Sequence, residues 1–86
     1  MSISKLNNPP TEKMINMLKI ISEFIKNNGY SPTVRELCDL SLLKSTSTVH
    51  QYLDRLESRE LILRTPTANR TIRITDKGKE VLDNDK

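Results

Sequence analysis

Residues 29–74, GYSPTVRELCDLSLLKSTSTVHQYLDRLESRELILRTPTANRTIRI, decide the fold. Gly29 at the head of this stretch can end a preceding helix in the left-handed conformation that glycine adopts without steric cost. Ser31-Pro32 is extended or turn, because a residue before proline is disfavoured in the helical region. Thr33 and Glu36 then fit a capping box, in which each side chain satisfies a backbone N–H at the other's position. The helix they start is short, with Val34, Leu37, Cys38 and Leu40 inward, and it ends near Leu40 or Ser41. In the turn Ser41-Leu42-Leu43-Lys44 a leucine fills the gap before the next helix. That helix begins near Ser45 and runs to about Arg59. At about 100° per residue, Val49, Tyr52 and Leu56 cluster around Leu53 as its buried face. Ser47, Thr48, Gln51, Asp54, Arg55 and Ser58 take the far side, and His50 the flank. Two short aliphatic runs follow, Leu61–Arg64 and Thr71–Ile74. The six residues between them, Thr65 to Arg70, include the turn formers Pro66 and Asn69, which predicts a hairpin.

Helix, turn, helix and hairpin is the layout of a winged helix-turn-helix. Working outward, residues 1–10 read as a flexible N-terminal arm ending in Pro9-Pro10. Thr11 is positioned to cap a first helix running to about Asn28. Met14, Met17, Leu18, Ile21, Phe24 and Ile25 form its apolar stripe at helical period. Beyond the hairpin, Thr75 can cap a short helix that Gly78 weakens, and the acidic end is expected to fray. The expected fold is mainly α with a small β-hairpin: a three-helix core plus a two-stranded wing. Residues 11–75 form that domain, and 76–86 a short C-terminal helix or frayed tail.

Composition narrows the function. A chain of 86 residues is one small domain whose core, 35% apolar and 3% aromatic overall, must be aliphatic. That leaves little room for a deep substrate cavity. The single cysteine, Cys38, excludes an intramolecular disulfide and a multi-cysteine zinc site, and its place on an apolar helix face predicts a buried thiol. No apolar run approaches the roughly 20 residues of a membrane span. The N-terminus lacks the apolar stretch of a secretory signal, so the expected compartment is the cytoplasm. His50, the sole histidine, has no cysteine or second base near it in sequence. Paired one turn away with Asp54, it lacks further metal ligands. There is no Gly-x-Ser-x-Gly elbow, and two glycines cannot build a phosphate-cradling loop. The sequence therefore predicts no enzyme, no cofactor and no metal.

Charge points elsewhere. The formal net charge is only +3, but residues 61–75 contain Arg64, Arg70 and Arg73 and no acid. A local basic patch attracts phosphate even on a mildly basic chain. The polar face of the third helix has the matching chemistry. Short hydroxyls and amides at a helix start approach base edges closely, which suits Ser45, Ser47 and Thr48. Gln51 can pair both amide atoms with adenine, and His50 can bond a guanine edge. The expected backbone-contacting set is Thr33 and Arg35 at the capped helix, Lys44 and Arg55 around the reading helix, and Arg64, Asn69 and Arg70 on the wing.

Three motifs carry a family resemblance. They are Gly29-Tyr30-Ser31-Pro32-Thr33-Val34-Arg35-Glu36-Leu37, Ser45-Thr46-Ser47-Thr48-Val49-His50, and Leu53 with Arg55-Leu56-Glu57 ahead of Leu61-Ile62. Over about residues 5–74 the chain resembles the N-terminal DNA-binding domain of LexA, the repressor of the bacterial SOS response. The resemblance implies a double-stranded DNA operator of palindromic form. It also implies a homodimer on that DNA, base reading by Ser45, Ser47, Thr48, His50 and Gln51, and a wing on the adjacent backbone. The family pattern has glycine where Leu42 and Glu60 stand. The sequence carries no Ala-Gly cleavage site and no room for a serine–lysine dyad, so the self-cleaving peptidase domain is expected to be lacking. An alternative function is a winged-helix interaction module whose partner is a protein, such as another repressor or the transcription machinery.

Overall fold

Among the described residues, four helices and a two-stranded antiparallel sheet succeed one another. The computed structural model describes residues 10–65 and 70–84. The elements are α1 (Glu12–Asn28), α2 (Val34–Ser41), α3 (Thr46–Ser58), β1 (Ile62–Leu63), β2 (Arg73–Ile74) and α4 (Asp76–Asn84). Most of the arm expected at residues 1–10, and the last two residues of the chain, lie outside the described residues.

Each helix start follows its local chemistry. The Thr11 hydroxyl accepts from the Met14 N–H, and Gly29 closes α1 at φ 78° with its N–H on the Ile25 carbonyl. The capping box of α2 is complete. Thr33 Oγ1 accepts from the Glu36 N–H at 3.1 Å, and Glu36 Oε1 accepts from the Thr33 N–H at 2.9 Å. Ser45 caps α3, and Thr75 caps α4 by accepting from the Gly78 N–H.

The core is one aliphatic cluster. Met14, Met17, Leu18 and Ile21 of α1 meet Leu37 and Cys38 of α2, then Val49, Leu53 and Leu56 of α3, with Leu61, Ile62 and Ile72 from the wing. Each fully buried aliphatic side chain contributes about 1.5–3 kcal/mol relative to exposure. Phe24 and Ile25, at the end of the α1 stripe, are half-buried. Leu40 does not face inward and is 53% exposed. At about 100° per residue it lies roughly 110° from the midpoint of Leu37 and Cys38, and α2 ends one residue later. Leu43 is the leucine that packs against the core in the turn, while Leu42 is 87% exposed. The buried Cys38 thiol donates to the Leu43 carbonyl at 3.0 Å and ties the turn down.

The wing is shorter than the two aliphatic runs predict, with Ile62 opposite Ile74 and Leu63 opposite Arg73. Beyond that register a side chain replaces the ladder. Thr71 Oγ1 accepts from the Thr65 N–H at 2.9 Å and donates to the Thr65 carbonyl at 3.2 Å. The C-terminal segment forms a docked helix, whose Val81 and Leu82 pack on the core. Gly78 is the reason it can dock. A Cβ there would lie 2.3 Å from the Leu61 carbonyl oxygen and 2.9 Å from Ile74 Cγ2. The glycine that lowers helix propensity is the one that allows the close approach of α4 to the wing.

Candidate nucleic-acid interface

The interface is built on α3. Val49, Leu53 and Leu56 hold its inner face in the core, which leaves the first two turns open to solvent. Ser45, Ser47, His50 and Gln51 are exposed, and Thr48 is half-buried on the side of the helix away from Leu53. One hydroxyl here is already engaged, since Ser45 Oγ accepts from the Ser47 N–H at 3.1 Å. Its proton stays available to an acceptor. The five residues of the predicted base-reading set therefore share one helix end.

The cations divide into two groups. Arg35, Lys44 and Arg55 are exposed, and no ion pair to any of them occurs among the described residues. Arg64 and Arg70 are held within the fold. The Arg64 guanidinium bonds Asp54 Oδ1 and, at 3.0 Å, Glu57 Oε1, and its side chain is only 17% exposed. Asp54 and Glu57 lie on the second half of α3, so Arg64 straps the wing to the helix that carries the predicted base-reading residues. Arg70 reaches α2: its Nη1 lies 3.0 Å from Glu36 Oε1, its Nη2 3.2 Å from Glu36 Oε2, and Nη1 also donates to the Ser31 carbonyl. The same guanidinium stacks 4.7 Å from the centroid of the Tyr30 ring. Much of the positive charge expected on the hairpin is thus offset by carboxylates of the two helices. Thr33 spends its N–H and hydroxyl on the capping box, and Asn69 lies outside the described residues.

Glu36 stands at the centre of this clamp. The Thr33 backbone N–H, and then the Arg70 guanidinium, hold its carboxyl below the usual carboxylate range. A further anchor had no signal in the sequence beyond a serine before a proline. The buried Ser31 hydroxyl accepts from the Ile72 N–H at 2.9 Å and donates to the Pro32 carbonyl at 3.1 Å. It fixes β2 to the loop between α1 and α2 across 41 positions of sequence. Hydrogen-bonded arginines, a buried hydroxyl and a packed helix together give the wing one position relative to α3.

Residues 7–71 match the family model described as the LexA DNA binding domain. The chain belongs to the LexA DNA-binding domain family. The matched interval contains all the residues of the interface from Thr33 to Arg70, while α4 lies beyond it. The LexA repressor of Ligilactobacillus salivarius is 51% identical over 67 residues, which is 78% of this chain and 32% of that protein. That of Lactobacillus johnsonii is 40% identical over 77 residues, covering 90% of this chain and 37% of the relative. The LexA repressor of Clostridium perfringens strain 13 is 44% identical over 70 residues, 81% of this chain and 34% of that protein. The chain thus spans about a third of the length of the curated relatives it matches. Among the described residues, no helix is long and apolar enough to cross a membrane, and no group of three or more His, Cys, Asp or Glu could hold a metal ion.

Proposed function

We propose that this chain is a sequence-specific, double-stranded DNA-binding transcriptional repressor of the LexA type, a regulator and not an enzyme. Two protomers would bind the two halves of an inverted-repeat operator, and occlusion of a promoter would repress. The observation that carries this reading is the open start of α3, where exposed Ser45, Ser47, His50 and Gln51 stand on a helix anchored by a fully buried face. Such a helix end enters a major groove with its hydroxyls and amide against base edges. Membership of the LexA DNA-binding domain family supports the same assignment.

Within this reading, Ser45, Ser47, Thr48, His50 and Gln51 read bases, and Arg35, Lys44 and Arg55 contact phosphates. Arg64 and Arg70 serve chiefly as braces, since each would have to leave a carboxylate to reach a phosphate. Selection of bound duplexes from a random pool, followed by anisotropy titrations, tests the proposal. A single inverted-repeat motif should emerge. Gln51→Ala should relax preference at one position of each half-site at a cost of about 1–3 kcal/mol. Equal affinity for every duplex, before and after that substitution, would remove the proposal.

A further inference from the structure

A groove of about 870 Å³ runs between the C-terminal part of α1, the outer face of the wing and the start of α4. No residue of α3 lines it, and of the candidate interface cations only Arg64 and Arg70, both held by carboxylates, reach its lining. Its described lining contains five basic side chains and no Asp or Glu. Arg64 and Arg70 are neutralised by Asp54, Glu57 and Glu36. The uncompensated charge comes from Lys26 on α1, Arg73 on β2 and Lys79 on α4, three elements that converge on one hollow. No ion pair to these three occurs among the described residues. Glu23 and Asp83, each about one helical turn from one of these lysines, do not line the groove.

The rest of the lining is apolar as well as cationic. Leu63 is 58% exposed although it sits in a strand, and Ile25 and Ile74 flank it at half burial. Leu63, the last residue of β1, leaves an exposed apolar side chain in the same hollow as the three cations, so an occupant that supplies apolar groups as well as carboxylates matches the groove better than charge alone. A row of duplex phosphates would use the charge but gain nothing from the aliphatic floor. We propose that this groove is a docking site for an acidic peptide segment of a partner protein, one in which carboxylates alternate with aliphatic or aromatic side chains. In an extended segment alternate side chains point to opposite sides. Every second residue can then enter the Leu63–Ile74 floor while a flanking carboxylate meets Lys26, Arg73 or Lys79. The recognition is that of a pocketed extended peptide with electrostatic steering.

The test uses the full chain and a fluorescein-labelled eight-residue peptide in which aspartate alternates with leucine or phenylalanine. Anisotropy should report saturable binding that weakens with salt. Methyl NMR shifts should be confined to Ile25, Leu63, Ile72 and Ile74. The triple change Lys26→Gln, Arg73→Gln and Lys79→Gln should weaken the peptide about tenfold, the combined effect of three surface charge pairs. Its binding to the selected operator duplex should be unchanged. Leu63→Ser, read by the same titration, separates floor from charge and should also weaken the peptide. The inference is overturned by absence of peptide binding, or by an all-aspartate peptide that binds equally well, which would mean generic charge attraction. A duplex that shifts the same four methyl groups would equally overturn it, since the groove would then belong to the DNA interface. Operator binding is measured separately, so failure of the peptide arm leaves the repressor reading standing, and the reverse also holds.

Discussion

Leu42 and Glu60 adopt the left-handed conformation, at φ 61° and 62°, a region that favours glycine. For Glu60 the hydrogen bonds give the reason. Its N–H bonds the Glu57 carbonyl, and the Leu61 N–H bonds the Leu56 carbonyl at 3.0 Å, which together form a Schellman closure of α3. Buried Leu56 and Leu61 hold that closure in place, so the backbone keeps its left-handed turn whatever side chain sits there. An L-residue in this region costs roughly 1–2 kcal/mol, and glycine returns about 0.5–1 kcal/mol of that as chain entropy. Glu60→Gly and Leu42→Gly should therefore each raise stability by up to about 1 kcal/mol, read as a higher urea midpoint at unchanged m-value. A lower midpoint for Glu60→Gly would contradict the strain argument. Glu36 gives a second residue-scale prediction, in pH. Its carboxyl is held low in the fold, so the stability from its ionised form is full above the ordinary carboxylate range and is lost as pH falls through its own depressed value. Glu36→Gln should be less stable than the parent at neutral pH, and the two urea curves should converge in acid. A deficit that persists undiminished in acid would show that the charge is irrelevant to the clamp.

Among the elements, those whose causes are local were legible in the sequence. α1, α2 and α3 start at Thr11, Thr33 and Ser45 because a hydroxyl there meets an N–H two or three positions on. Helical period likewise sets Ser47, Thr48 and Gln51 on the side of α3 away from Leu53, with His50 at the flank. The wing's contacts with the rest of the fold were not legible. Its arginines find partners 10 and 34 positions away, and Ile72 finds Ser31 at 41, separations that no periodicity encodes. α4 was undervalued because Gly78 is unfavourable by propensity, whereas its function is to let the helix approach Leu61 and Ile74. Gly78→Ala tests this reading. Propensity alone would stabilise by about 1 kcal/mol, but a Cβ at 2.3 Å from a backbone oxygen forces the helix off the wing. Overpacking of this kind costs about 1–3 kcal/mol, so the net change should be destabilising and should lower Tm by several degrees in a domain this small. A raised Tm would mean that α4 adjusts freely and is not held by the close contact.

For the whole molecule the decisive question is how much of its positive charge faces DNA. If all five interface cations, Arg35, Lys44, Arg55, Arg64 and Arg70, met phosphates, log K would fall against log salt with a slope of about −4.5 per protomer, at roughly −0.9 per contact. With Arg64 and Arg70 retained by Asp54, Glu57 and Glu36, three contacts remain and the slope is about −2.7 per protomer. The two values are far enough apart to be distinguished by titration over a modest salt range. Single substitutions sharpen the distinction. Lys44→Ala and Arg55→Ala should each weaken binding to every duplex and flatten the slope by about 0.9. Arg64→Ala should instead leave the slope nearly intact while lowering affinity, because the wing loses its strap to α3 and must be ordered on binding. Asp54→Asn supplies the converse. It weakens the strap while leaving every cation in place, so affinity should fall, or the slope should steepen as the released Arg64 turns to phosphate. A slope near −4.5 in the parent, flattened by Arg64→Ala as much as by Lys44→Ala, would show that the carboxylates release their arginines on the duplex and that the strap belongs to the unbound state alone.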